Sequence, residues 1–77
     1  MAMTFGQRLK AFRKNENWTQ QDLAEMIGVS TQAISKWETD AGMPDISQIV
    51  PLSRTLNVST DILLGVVDDN DTKEFEK

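Results

Sequence analysis

Cysteine and histidine are both missing from this chain. Their absence removes disulfides, thiolate nucleophiles, imidazole bases and nearly every zinc arrangement, and it fits a cytoplasmic protein. No apolar run approaches the roughly 18 residues of a membrane-spanning candidate. The opening MAMTFGQR lacks the apolar centre of a secretory signal. Strand-like alternation appears nowhere over a useful length. The four glycines form no phosphate-cradling loop, and a core this small has no room for a sizeable pocket. An enzyme is therefore not expected, nor a metal, cofactor, small-molecule ligand or membrane.

Positive charge is scarce as well. The 77 residues carry 8 cations against 12 acids, a net charge of −4 with a sequence pI near 4.5. The imbalance is local: the final stretch VVDDNDTKEFEK, residues 66–77, accounts for most of it, and residues 1–65 are nearly neutral. Arg8, Lys10, Arg13 and Lys14 crowd into a single short segment. Net charge governs solubility and steering; it does not decide what one face can bind.

What is present is helical spacing. Phe5, Leu9 and Phe12 recur on one helix face, behind Thr4 with Gln7 in capping-box register, predicting a first helix to about Lys14. Trp18 reads as a buried residue before Thr19, the cap of a second helix whose inner side is Leu23, Ala24 and Ile27. Gly28 makes a turn, and Ser30 caps a third helix over roughly 31–39. Asp45 opens a fourth helix with Ile46, Ile49, Val50, Leu52 and Leu56 as apolar positions; Pro51 within it predicts a kink or early break. Ser59 caps a short fifth helix stopped by Gly65. The expected domain spans residues 4–65 and is all-α, with 66–77 an acidic tail or linker.

Residues 20–39 place a helix, a tight glycine turn and a second helix in succession. Ala24 allows a close crossing, while Leu23, Ile34 and Trp37 bury the inner faces. This is the helix-turn-helix arrangement, whose second helix can lie in a major groove. Its outer side offers Thr31, Gln32, Ser35 and Lys36.

With those positions in place, the chain resembles the phage-repressor and Cro-like helix-turn-helix domains of the xenobiotic-response-element (XRE) type. The likeness rests on TFGQRLKAFRK, WTQQDLAEMIGVSTQAISKWE, MPDISQIVPLSRTLNVS and TDILLG, and covers residues 4–65. It implies a five-helix, lambda-repressor-like domain that binds operator DNA, commonly as a two-fold dimer, and regulates transcription, most often as a repressor. Thr31, Gln32 and Lys36, with Ser35 beside them, correspond to the family's base-reading positions. The chemistry agrees, since Gln can pair with adenine, Lys can approach guanine acceptors and a Thr methyl can touch thymine. The resemblance further implies an ion pair between Arg13 and Glu38, joining the first helix to the third.

Phosphate contacts are expected from Thr19 and Gln20, where helix N–H groups and dipole favour an anion, and from Ser30 and Arg8. Lys10 and Lys14 read as a solvated face, and both tryptophans as core. Ile62, Leu63, Val66 and Val67 form a candidate homodimer surface. The sequence departs from the family in the loop after helix 3, where Thr39–Asp45 (TDAGMPD) supplies no cation. That loop predicts modest DNA affinity with a shallow salt dependence. It also leaves open a second reading, a protein-interaction module of antitoxin or anti-repressor kind.

Overall fold

Helix boundaries in this chain follow from which side chains take up the free N–H groups of each first turn. The computed structural model describes residues 3–66 and contains α1 (Phe5–Asn15), α2 (Gln20–Ile27), α3 (Thr31–Glu38), α4 (Ile46–Leu56) and α5 (Thr60–Leu64). Among the described residues there is no strand. Thr4 with Gln7, Thr19 with Asp22 and Asp45 with Gln48 form reciprocal capping boxes. Ser30 and Ser59 accept from the backbone N–H groups of Ala33 and Ile62. Each such cap is worth about 0.5–2 kcal/mol, which matters for helices of only five to eleven residues.

Gly28 closes α2 at φ 78°, a conformation that costs an L side chain but not glycine. The turn is therefore short: Gly28 and Val29 both donate to the Ala24 carbonyl, and α3 begins two residues later. Asn57 ends α4 in the same left-handed region.

The core draws on every helix. Leu9, Leu23, Ile34, Leu52 and Leu63 are fully buried, and Phe5, Ala24, Trp37, Ile49 and Leu56 complete the cluster. α3 packs against both α1 and α2, while α4 and α5 close the far side. α3 is thus held from behind by two neighbours.

Three expectations need correction. Of the kink or early break expected at Pro51, the break does not occur: α4 runs from Ile46 to Leu56 with Pro51 inside it. The only acceptor that Pro51 leaves without its helical donor is the carbonyl of Ser47, and Ser47 is exposed in the first turn, where water can serve it. Ile46 is 73% exposed, not a core position, because as the first residue of α4 it precedes the packed stretch. Trp18 is half-buried, resting on the edge of the core.

Candidate nucleic-acid interface

The face in question is the outer edge of α3. Its rear positions, Ile34, Trp37 and Glu38, are buried. Thr31, Gln32 and Lys36 are exposed, and Ser35 is half-buried beside them. These side chains make no hydrogen bond to other described residues. Their donors and acceptors are thus free for an external ligand, on a helix that cannot easily rotate.

What prevents that rotation is concentrated at the C-terminal end of α3. Arg13 and Glu38 meet there in a forked pair, Arg13 Nε donating to Glu38 Oε2 at 2.6 Å and Nη2 to Oε1 at 3.0 Å. The side chains are 8% and 2% exposed, so solvent screens the pair little. The remaining Arg13 nitrogen, Nη1, donates to the Trp18 carbonyl at 2.7 Å. Hydrogen bonding to Glu38 raises the Arg13 pKa above its ordinary value, and the carboxylate charge adds to the effect while burial opposes it. Gln20, the first residue of α2, joins the cluster by donating from Nε2 to Glu38 Oε1 at 3.0 Å.

A second clamp lies alongside. Asp40, at φ 62° just past α3, turns its carboxylate back onto the start of α1. It accepts from the Thr4 hydroxyl at 2.6 Å and from the Gly6 N–H at 3.0 Å. Those two bonds, the Thr4 hydroxyl first, hold the Asp40 carboxyl below the usual carboxylate range. Here α1 approaches α3 closely enough that a Cβ on Gly6 would sit 2.5 Å from the carbonyl oxygens of Trp37 and Glu38. Neither Gly6 nor Asp40 stood out in the sequence reading. The available signal was Gly6 itself, since glycine inside a helix costs about 1 kcal/mol against alanine and asks for a packing reason.

The N-termini that flank this face are built alike. Thr19 Oγ1 and Ser30 Oγ each accept one backbone bond, from Asp22 at 3.0 Å and Ala33 at 3.1 Å, and each keeps a hydroxyl hydrogen to donate. In the first turn of α2 the N–H groups of Gln20 and Gln21 have no acceptor among the described residues. Asp22 lies in the same turn, so a negative charge shares the site.

Arg8 does not belong to this surface, contrary to expectation. Its guanidinium is turned toward α5 and the start of the described chain, donating to the carbonyls of Leu63 at 3.1 Å, Met3 at 2.9 Å and Leu64 at 3.4 Å. It serves the unsatisfied carbonyls at the end of α5, where a cation also suits the helix dipole. Gln20 is corrected in part: one amide hydrogen of its side chain is committed to Glu38. Lys10 and Lys14 are exposed on α1.

The apolar C-terminal set divides. Leu63 is fully buried and belongs to the core, so it cannot form a dimer surface. Ile62 is half-buried, Val66 is 72% exposed, and Val67 lies outside the described residues. Leu64, at 38% exposure, adds to the exposed edge and was not anticipated.

Comparison with known proteins gives a consistent picture. A helix-turn-helix family model matches residues 9–63. The SPbeta prophage-derived uncharacterized HTH-type transcriptional regulator YonR of Bacillus subtilis (strain 168) is 40% identical over 60 residues, covering 78% of this chain and 56% of YonR. Among solved structures, the P22 c2 repressor in complex with synthetic operator 9T has a TM-score of 0.79 at 38% identity, over 82% of this chain and 96% of that one. The c2 repressor comes from Salmonella phage P22. SinR, described as the master regulator for biofilm formation and solved in complex with DNA, has a TM-score of 0.75 at 34% identity, over 79% and 98% of the two chains. The chain spans between half and 63% of the length of the curated relatives YonR, YobD and ImmR.

Proposed function

This chain belongs to the helix-turn-helix family of XRE type, and from that premise we propose that it binds double-stranded operator DNA sequence-specifically and regulates transcription, most simply as a repressor. The observation that carries the proposal is the division of α3: a rear side fixed by core packing and a buried ion pair, and an outer edge whose polar side chains are unengaged. In this reading Gln32 and Lys36 take base edges in the major groove, with Thr31 and Ser35 beside them. Thr19 and Ser30 donate their hydroxyl hydrogens to phosphates. The N–H groups of the first turn of α2, those of Gln20 and Gln21, form the adjoining anion site.

Affinity for DNA is expected to be modest. Arg8 is engaged with α5, the loop after α3 brings no cation, and Asp22 sits beside the phosphate site. Few counterions are released on binding as a result. The slope of log K against log salt should stay below the value for about six phosphate contacts. A two-fold homodimer would restore affinity by engaging two half-sites about 34 Å apart. The exposed edge of Ile62, Leu64 and Val66 is the surface assigned to that pairing. The protein acts in the cytoplasm, on this reading, with no catalytic role.

Selection of bound sequences from random duplexes, followed by gel shift on the enriched sequence, tests the proposal. Gln32→Ala with Lys36→Ala should abolish the preference and leave the circular dichroism spectrum unchanged. Failure of the wild-type chain to enrich any sequence contradicts it and favours a protein-binding role for the same fold.

A further inference from the structure

The side chain of Gln20, unlike its backbone N–H, has no part in the DNA contacts proposed above. α2 and α3 form a V: the turn at Gly28 and Val29 joins the end of one helix to the start of the other. The open ends of the V are the first residue of α2 and the last residue of α3, which are Gln20 and Glu38. These two are bonded directly, Gln20 Nε2 to Glu38 Oε1 at 3.0 Å. Glu38 cannot follow Gln20 outward, because its side chain is 2% exposed and both oxygens are held by Arg13. Arg13 is anchored in turn on the Trp18 carbonyl, at the entry to α2. The pair is therefore joined by the turn at one end and by the Gln20–Glu38 bond at the other, and that second end is tied through Arg13 to α1.

We infer that Gln20 is a positioning residue for base readout: its side-chain amide fixes the angle between the helix that meets phosphates and the helix that meets bases. The inference rests on the DNA-binding reading above. Phosphate contacts set where the domain sits on the duplex, and base contacts discriminate only if α3 then arrives in register. Loosening the Gln20–Glu38 bond lets α2 keep its phosphates while α3 takes several orientations. Discrimination between sequences falls, and attachment to DNA in general does not. A side chain that only touched phosphate would behave otherwise, weakening every duplex alike.

The test uses Gln20→Met, which keeps the length and packing of the side chain and removes its amide while leaving the backbone N–H in place. Binding is measured by fluorescence anisotropy to two labelled duplexes of equal length, the sequence enriched by the wild-type chain from random duplexes and a scrambled version of it. A thermal melt establishes that the variant is folded, and Gln20→Leu serves if it is not. The expected result is a loss of tenfold or more in the enriched-over-scrambled affinity ratio, the enriched duplex losing far more affinity than the scrambled one. An equal loss on both duplexes makes Gln20 a phosphate contact and overturns the inference. An unchanged ratio makes the bond to Glu38 mere packing and overturns it too. If the wild-type chain itself prefers no sequence, the DNA-binding reading fails first, and the role of Gln20 falls with it.

Discussion

Removing Glu38 should damage this domain more than removing any exposed charge. In Glu38→Ala the Arg13 guanidinium remains at a side-chain exposure of 8%, keeps its bond to the Trp18 carbonyl and loses both contacts to carboxylate. Breaking a buried pair on one side costs about 3–5 kcal/mol, because an uncompensated charge is left in the interior. A chain of this length has a total stability of only about 4–12 kcal/mol, at roughly 0.05–0.15 kcal/mol per residue. Each kcal/mol lowers Tm by about 4–8 °C in a domain of this size, so the variant should melt at least about 12 °C below wild type. Arg13→Met leaves the carboxylate buried instead and should cost a similar amount. The double variant Arg13→Met/Glu38→Leu removes both charges. Its residual cost comes mainly from the half-buried Trp18 carbonyl and Gln20 amide, at about 1 kcal/mol for each hydrogen bond lost. Urea titrations followed by circular dichroism should therefore give a double-variant loss smaller than the two single losses combined, by about 2 kcal/mol or more. Single losses below about 1 kcal/mol that simply add would show the pair to be solvent-screened and not a buried clamp.

Other expectations follow from the same contacts. Gly6→Ala forces α1 away from the Trp37 and Glu38 carbonyls and should destabilise by about 1–3 kcal/mol in thermal or urea melts, despite alanine's better helix propensity. Stability should fall in acid partly through Asp40. Its carboxyl is held below its ordinary pKa in the fold, so its contribution is present above the unfolded value of about 3.9 and is lost as pH falls through the folded one. Asp40→Asn should therefore melt with a shallower dependence on pH below about 5 than wild type, and an identical dependence would remove the clamp from the account. Leu63→Ala should cost about 2–5 kcal/mol as a core truncation, while Val66→Ala should change monomer stability by less than about 0.5 kcal/mol. Sedimentation across a concentration series should then show Val66→Ala weakening self-association; a wild-type chain that stays monomeric throughout contradicts the dimer.

Much of the fold was legible because its determinants are local. Thr4 and Gln7, Asp45 and Gln48, and the turn at Gly28 declare themselves within a few residues, and apolar spacing identified Leu9, Leu23, Ile34 and Leu52 as inward-facing. The misread positions depend on distant neighbours. Arg8 has the charge and exposure of a phosphate ligand in sequence; only the arrival of the end of α5 beside it gives it another partner. Asp40 looked like an unhelpful acid in a loop, and its use lies in the first turn of a helix 34 residues earlier along the chain. On a five-residue helix such as α5, periodicity is too short to separate buried Leu63 from exposed Leu64. The bond that Pro51 removes is legible in the sequence, but the solvent exposure of Ser47, whose carbonyl loses its donor, is not.

The claim beneath all of this is that the free edge of α3 is what enters a duplex. Titrating the isotopically labelled protein with its selected duplex and following backbone amide shifts tests that claim directly. The largest changes are expected at Thr31, Gln32, Ser35 and Lys36 and in the first turn of α2, with α5 and the exposed side of α1 little affected. Changes centred on α5 or on Lys10 and Lys14, with the edge of α3 silent, would contradict it.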